Sequence, residues 1–204
     1  MDEKRISHNR QSNRLQGYDY SSPGYYFVTI VSHNRLSIFG EIIQSQILLS
    51  RVGKIVEDCW LEIPKHFQHV TLDEYVIMPN HFHSIVNIGK HQRVARHKVS
   101  SIRRQASPIL SEGQASIPKG PPPQSLCAII GSFKSAATKQ VRLLGLSSQK
   151  TIWQRNYYEH VIRDDEDYQR IVEYIQFNPI NWGKIKNLSQ MIRLFDKMFA
   201  FRFY

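Results

Sequence analysis

Two histidines stand one residue apart in His81-Phe82-His83, and a tyrosine and an asparagine stand four apart in Tyr174-Ile175-Gln176-Phe177-Asn178. On a strand, residues i and i+2 point to the same side, so both imidazoles would leave one face and Phe82 the other. Two neutral imidazoles placed that way can share a divalent cation. A pair of ordinary core or surface histidines has the same pattern. On a helix, residues four apart are neighbours. A boundary tyrosine and a helix-end asparagine fit that spacing, and so does a phenol nucleophile beside a metal ligand. A phenol with an ordinary pKa of about 10 needs activation, which a cation can supply by polarising the electrophile.

The elements that would position these groups can be read along the 204-residue chain. Tyr25 to Val31 is aromatic and β-branched after the Pro23-Gly24 turn, and predicts a strand. Leu48, Val52, Ile55, Val56 and Cys59 trace one helix face over about Gln44 to Leu61, with Pro64 ending it. Thr71–Met78 and His81–Ile88 read as strands joined by a turn at Pro79-Asn80. Leu126, Ile129, Ile130, Phe133, Ala137 and Val141 predict a second helix that stops near Gly145. A strand follows within Trp153–Ile162. Asp164 is placed to cap a last helix whose acidic first turn suits its positive end and whose length Pro179 limits. The resulting class is α+β: a ferredoxin-like β-α-β-β-α-β antiparallel sheet with an added C-terminal helix. Helices on one face would leave the other free for a ligand.

Charge bears on the partner. Lys plus Arg number 27 against 17 Asp plus Glu, a net +10 with pI near 9.7. That balance favours a polyanion, most often nucleic acid, over acidic or membrane-spanning classes. Between Gly89 and Gly120 stand seven basic residues and one acid, Glu112, so +6 of the +10 sits in one Ser-, Gln- and Pro-rich stretch. It reads as a flexible basic insertion, residues 89–123, and as either a spacer or a phosphate-binding arm. No run approaches the ~18 apolar residues a membrane helix needs. Two cysteines and a polar start, Met1 to Arg5, point to a reducing, cytoplasmic compartment.

Three blocks resemble a known family. Tyr75-Val76-Ile77-Met78-Pro79-Asn80-His81-Phe82-His83 is similar to the histidine–hydrophobic–histidine segment of single-tyrosine HUH transposases. The run from Ile152 to Arg163 and the run from Val172 to Pro179 resemble the second and third blocks of the REP-associated tyrosine transposase branch. The blocks fall in family order and span roughly residues 20 to 185. The resemblance implies a catalytic domain over 18–185, between an N-terminal tail (1–17) and a C-terminal tail (186–204). It implies cleavage and rejoining of single-stranded or hairpin DNA, such as palindromic repeats, through a 5′-phosphotyrosine. Tyr174 would be the nucleophile, and His81, His83 and Asn178 the ligands of Mg²⁺ or Mn²⁺. No nucleotide cofactor or membrane is implied, and relatives are monomers or homodimers.

Tyr157, Tyr158 and Tyr168 are rival nucleophiles, but none sits four residues before an amide on the same helix. Glu159 and His160 could add a ligand or a proton relay. Arg155, Arg163, Arg93, Arg96, Arg103 and Arg104 are candidate DNA contacts. The long insertion departs from shorter family members, which have a brief connection there. A non-catalytic hairpin-DNA-binding protein derived from such a transposase, and a metal-dependent phosphohydrolase, are the alternative readings.

Overall fold

The computed structural model describes residues 17–90 and 120–182. Arg93, Arg96, Arg103 and Arg104 lie outside the described residues, as do most of the basic insertion and both predicted tails. In chain order the elements are β1 (Gly24–Val31), β2 (Gly40–Ile43), β3 (Gln46–Leu49), α1 (Arg51–Leu61), the single turn α2 (Ile63–His66), β4 (Val70–Met78), β5 (His81–Ile88), α3 (Leu126–Leu143), β6 (Tyr158–Ile162) and α4 (Asp165–Asn181). Strands β4, β5, β1 and β6 form one antiparallel sheet in that order. This is the expected α+β plan, with the short β2–β3 hairpin added before the first helix.

Period-two alternation gives the sheet two different faces. Tyr26, Val28 and Ile30 of β1 and Phe82 and Val86 of β5 point to the side covered by α1 and α3. There Trp60, Phe82 and Phe133 meet with ring centroids 4.8 to 5.5 Å apart, all fully buried. Phe27 and Ile85 point to the other side and pack on Ile171 and Ile175 of α4. The second face is therefore not free, as the sequence suggests, but roofed by α4. The apolar stripe of α4 needs a sheet to cover it, and the α1–α3 face is already filled.

Each long helix starts on a side-chain cap: Ser50 accepts from the Gly53 amide, Ser125 from Ala128 and Asp164 from Asp167. Two local expectations need correction. The first helix begins after Ser50, not at Gln44, because Gln44 and Ser45 take positive φ (49° and 64°) and turn a hairpin. Leu48 thus lies on β3 and is exposed rather than on a helix stripe. The last strand of the sheet, Tyr158–Ile162, falls within the expected Trp153–Ile162 stretch, where Trp153 makes an isolated bridge to Ser32. Helix α4 runs through Pro179 to Asn181: the ring removes one backbone donor, and Trp182 N–H still reaches the Pro179 carbonyl.

Candidate active site

His81 and His83 leave β5 on the α4 side, with ring centroids 4.6 Å apart. Both are buried. Tyr75–Met78 pairs with His81–Ser84 on one flank, and Thr29 lies opposite His83 on the other, so the pair sits between two neighbouring strands. Helix α4 brings its residues from above. The Tyr174 hydroxyl lies 3.3 Å from His83 Nε2, and the Tyr174 ring packs edge-on against the His83 ring at 5.1 Å. The Asn178 carboxamide, one turn further on, lies beside both the His81 ring and the Tyr174 phenol. The four residues singled out by spacing in the sequence therefore converge. Phe27 stacks on His83 and meets the Tyr174 ring edge-on, walling the site from β1. Trp182 covers His81 with its ring 5.7 Å away.

The imidazoles are oriented from behind. His81 Nδ1 is 2.7 Å from Asn80 Oδ1, a carbonyl-type oxygen that can only accept. Nδ1 therefore carries the proton, and Nε2 keeps its lone pair. His83 Nδ1 is 2.8 Å from the Thr29 hydroxyl, which leaves its Nε2 facing Tyr174. Burial pushes His81 down to about 3, and burial with the neighbouring His81 pushes His83 well below the ordinary imidazole range. Both rings are thus neutral at pH 7, the form that ligates metal. Burial holds the Tyr174 phenol above its ordinary value, opposed only by Asn178.

Two buried polar atoms in this group, His81 Nε2 and Asn178 Nδ2, have no hydrogen-bond partner among the described residues. An amide turned end for end keeps its shape, so the Nδ2 position can equally hold Oδ1. Two imidazole nitrogens and an amide oxygen then form a donor set that fits a divalent cation. Among the described residues, no group of three or more His, Cys, Asp or Glu side chains is placed to hold a metal, so a carboxylate does not complete the set.

The rival residues are placed elsewhere. Glu159 and Tyr157 face the α3 side of the sheet, with Tyr157 directed at Cys127. Glu159 is thereby separated from the histidine pair. His160 lies on the α4 side but bonds Asp167 at 2.8 Å. The Tyr168 hydroxyl donates to Asp73 at 2.7 Å. Arg155 is exposed beside α3, and Arg163 is exposed in the turn between β6 and α4, its backbone amide 3.4 Å from Asp167. Thr29 and Asn80 escaped the sequence reading as site residues. Asn80 was legible only as a turn former, and Thr29 becomes visible only through the β1–β5 register.

The chain matches no protein-family model. An uncharacterised protein of Haemophilus influenzae is 39% identical over 175 residues, 86% of this chain and 91% of that protein. A second Haemophilus influenzae protein is 22% identical over 82% of this chain and 77% of its own length, and one from Escherichia coli (strain K12) is 45% identical over 40 residues, 20% of this chain and 24% of its own. These two are named, the first provisionally, as REP-associated tyrosine transposases. The fold is shared with the solved structure of a REP-associated tyrosine transposase bound to a REP hairpin, at a TM-score of 0.52 and 20% identity over 89% of this chain and 79% of that one. Among the described residues no helix is long and apolar enough to cross a membrane. The chain is thus a relative of proteins named as REP-associated tyrosine transposases.

Proposed function

We propose that the protein is a metal-dependent DNA strand transferase that cuts and rejoins single-stranded or hairpin DNA through Tyr174. The observation that carries this reading is the placement of the Tyr174 hydroxyl 3.3 Å from His83, within the pocket that also holds His81 and Asn178. His81, His83 and Asn178 would hold Mg²⁺ or Mn²⁺. When bound, such an ion polarises a phosphate oxygen and stabilises charge that builds up in displacement. All three ligand groups are neutral, so the site keeps a full positive charge for a phosphodiester to meet.

The chain's own part is positional. Thr29 and Asn80 fix the two rings, Phe27 and Trp182 exclude water from their flanks, and α4 presents the phenol. Tyr174 Oη bonds to a DNA phosphorus as the bond from that phosphorus to O3′ breaks. The phenol gives up its proton, and the departing oxygen takes one up as a 3′-OH. One diester replaces another, so a second 3′-OH can reverse the step without ATP. A structure in which a relative holds a REP hairpin supports hairpin DNA as the substrate class.

The test is a covalent-adduct gel with a short DNA hairpin bearing a single-stranded flank. The wild-type protein is expected to give a slower-migrating protein–DNA band with Mn²⁺ and none with EDTA. Tyr174→Phe is expected to lose the band and keep hairpin binding. A non-catalytic binder gives no band in any lane. A hydrolase using an activated water cuts the DNA without one.

A further inference from the structure

Charge in the described residues is divided between the two faces of the sheet. Helix α4, which bears Tyr174, carries Asp165, Glu166, Asp167 and Glu173 against a single base, Arg170. On the opposite face α3 carries Lys134, Lys139 and Arg142 and no acid. The chain continues from α3 through Lys150 and Arg155 without meeting an acid until Glu159. DNA that reaches Tyr174 therefore approaches an acidic helix, which repels phosphate and leaves the rest of the DNA to be held elsewhere.

A groove of about 1410 Å³ lies where that basic stretch folds back on itself, between α3 and residues 150–157. Five bases line it, Lys134, Lys139, Arg142, Lys150 and Arg155, against one acid, Glu159. Four of the five are exposed; Lys134 is half-buried. Lys134 Nζ donates to the carbonyls of Gln154 (2.7 Å) and Arg155 (3.0 Å), which ties the far wall to α3 and sets the groove's width. The Ser135 hydroxyl lies on the same wall, while the Thr138 hydroxyl there donates to the Lys134 carbonyl at 2.8 Å; hydroxyls beside Lys and Arg are ordinary phosphate partners.

The structure assigns this groove to the phosphate backbone of DNA: we propose that it holds the part of the substrate that does not react, on the face of the sheet opposite Tyr174. The proposal rests on the DNA reading above but not on the tyrosine chemistry. β6 is the edge strand: its Glu159 and the preceding Tyr157 border the groove while Tyr158 and Ile162 face α4. A strand leaving the groove thus has one edge to pass before it reaches the α4 side.

The experiment measures hairpin binding by fluorescence anisotropy as a function of salt, on a Tyr174→Phe background with EDTA, so that no cleavage contributes. The triple variant Lys139→Gln/Arg142→Gln/Lys150→Gln is compared with Arg51→Gln/Lys54→Gln/Lys65→Gln on α1 and α2. The groove variant is expected to bind at least tenfold more weakly near 0.1 M salt. Its slope of log affinity against log salt is expected to be shallower by about 2 to 3, near one per lost phosphate contact. The control triple should keep most of the wild-type slope. Equal loss in both variants, or none in either, overturns the proposal. So does groove-dependent binding of an RNA hairpin of the same sequence without groove-dependent binding of the DNA.

A second measurement covers the case in which the triple variant folds poorly. In wild-type protein, bound DNA is expected to shield Lys139 and Lys150 from acetylation and leave Lys54 reactive. Unshielded Lys139 and Lys150 overturn the assignment. Groove-dependent binding with no adduct in the gel refutes the tyrosine chemistry and leaves the groove standing. An adduct with groove-independent binding does the reverse.

Discussion

Thr29 and Asn80 each hold one imidazole by its Nδ1, so that Nε2 of both rings faces α4. Partners of this kind set a ligand's tautomer and orientation, and losing one costs roughly 10- to 100-fold in metal affinity. Thr29→Val should therefore weaken Mn²⁺ binding by about that factor in calorimetry. It should also lower stability by about 1–3 kcal/mol, since a buried ring nitrogen loses its partner. Thr29→Ser keeps the hydroxyl and should retain both. The histidine pair was legible in the sequence because strand alternation is a local rule. Tyr174 and Asn178 were legible because i and i+4 always adjoin on a helix. Thr29 was not, because a register 54 residues away is decided by packing of the whole sheet.

Helix α4 is the element on which the site depends, and polar contacts pin it at both ends. Tyr168 reaches Asp73, and Gln176 reaches Glu74, both on β4. Asp167 bonds His160 of β6 at 2.8 Å and lies 3.5 Å from Arg170. Burial alone would raise the Asp167 carboxyl, but the bonds from His160 and the Arg163 amide, with Arg170 nearby, outweigh it and hold the group below its ordinary range. A carboxyl depressed in the folded state stabilises it above the unfolded pKa and loses that contribution as pH falls through the folded value. Asp167→Asn should therefore melt lower than wild type at pH 7, by a few degrees for a loss of about 1–2 kcal/mol. The gap should narrow below about pH 4, where unfolded carboxyls protonate. The acidic start of α4 and its cap could be read from sequence. The β2–β3 hairpin could not, because Leu48 continues the apolar spacing of α1 and neither Gln44 nor Ser45 is a glycine that would announce the turn.

For the whole molecule, the net charge of +10 points to a polyanion without placing it. Most of the insertion that carries more than half of the excess lies outside the described residues, yet the described part still sorts its charge by face. The tyrosine sits on an acidic helix over one face of the sheet, and a basic groove lies on the other. The sheet that separates them is held by the Trp60–Phe82–Phe133 contacts, with Phe82 pointing away from the site between two histidines that point into it. Core and site therefore share β5, and stability should respond to the site's ligand. A cation that binds the folded state alone at 100 times its dissociation constant adds about 2.7 kcal/mol. Mn²⁺ should raise the melting temperature of wild-type protein and leave that of a His81→Ala/His83→Ala variant unchanged. An equal rise in both would place metal binding elsewhere.

The most direct test of the central claim is to find the atom that carries DNA. Wild-type protein is incubated with Mn²⁺ and a hairpin bearing a single-stranded flank, then treated with nuclease and trypsin, and its peptides are analysed by mass spectrometry. The tryptic peptide from Ile171 to Lys184 should carry a nucleotide through the Tyr174 oxygen, and the EDTA control should carry none. A nucleotide on Tyr157, Tyr158 or Tyr168, or cleaved DNA with no modified peptide, would contradict it.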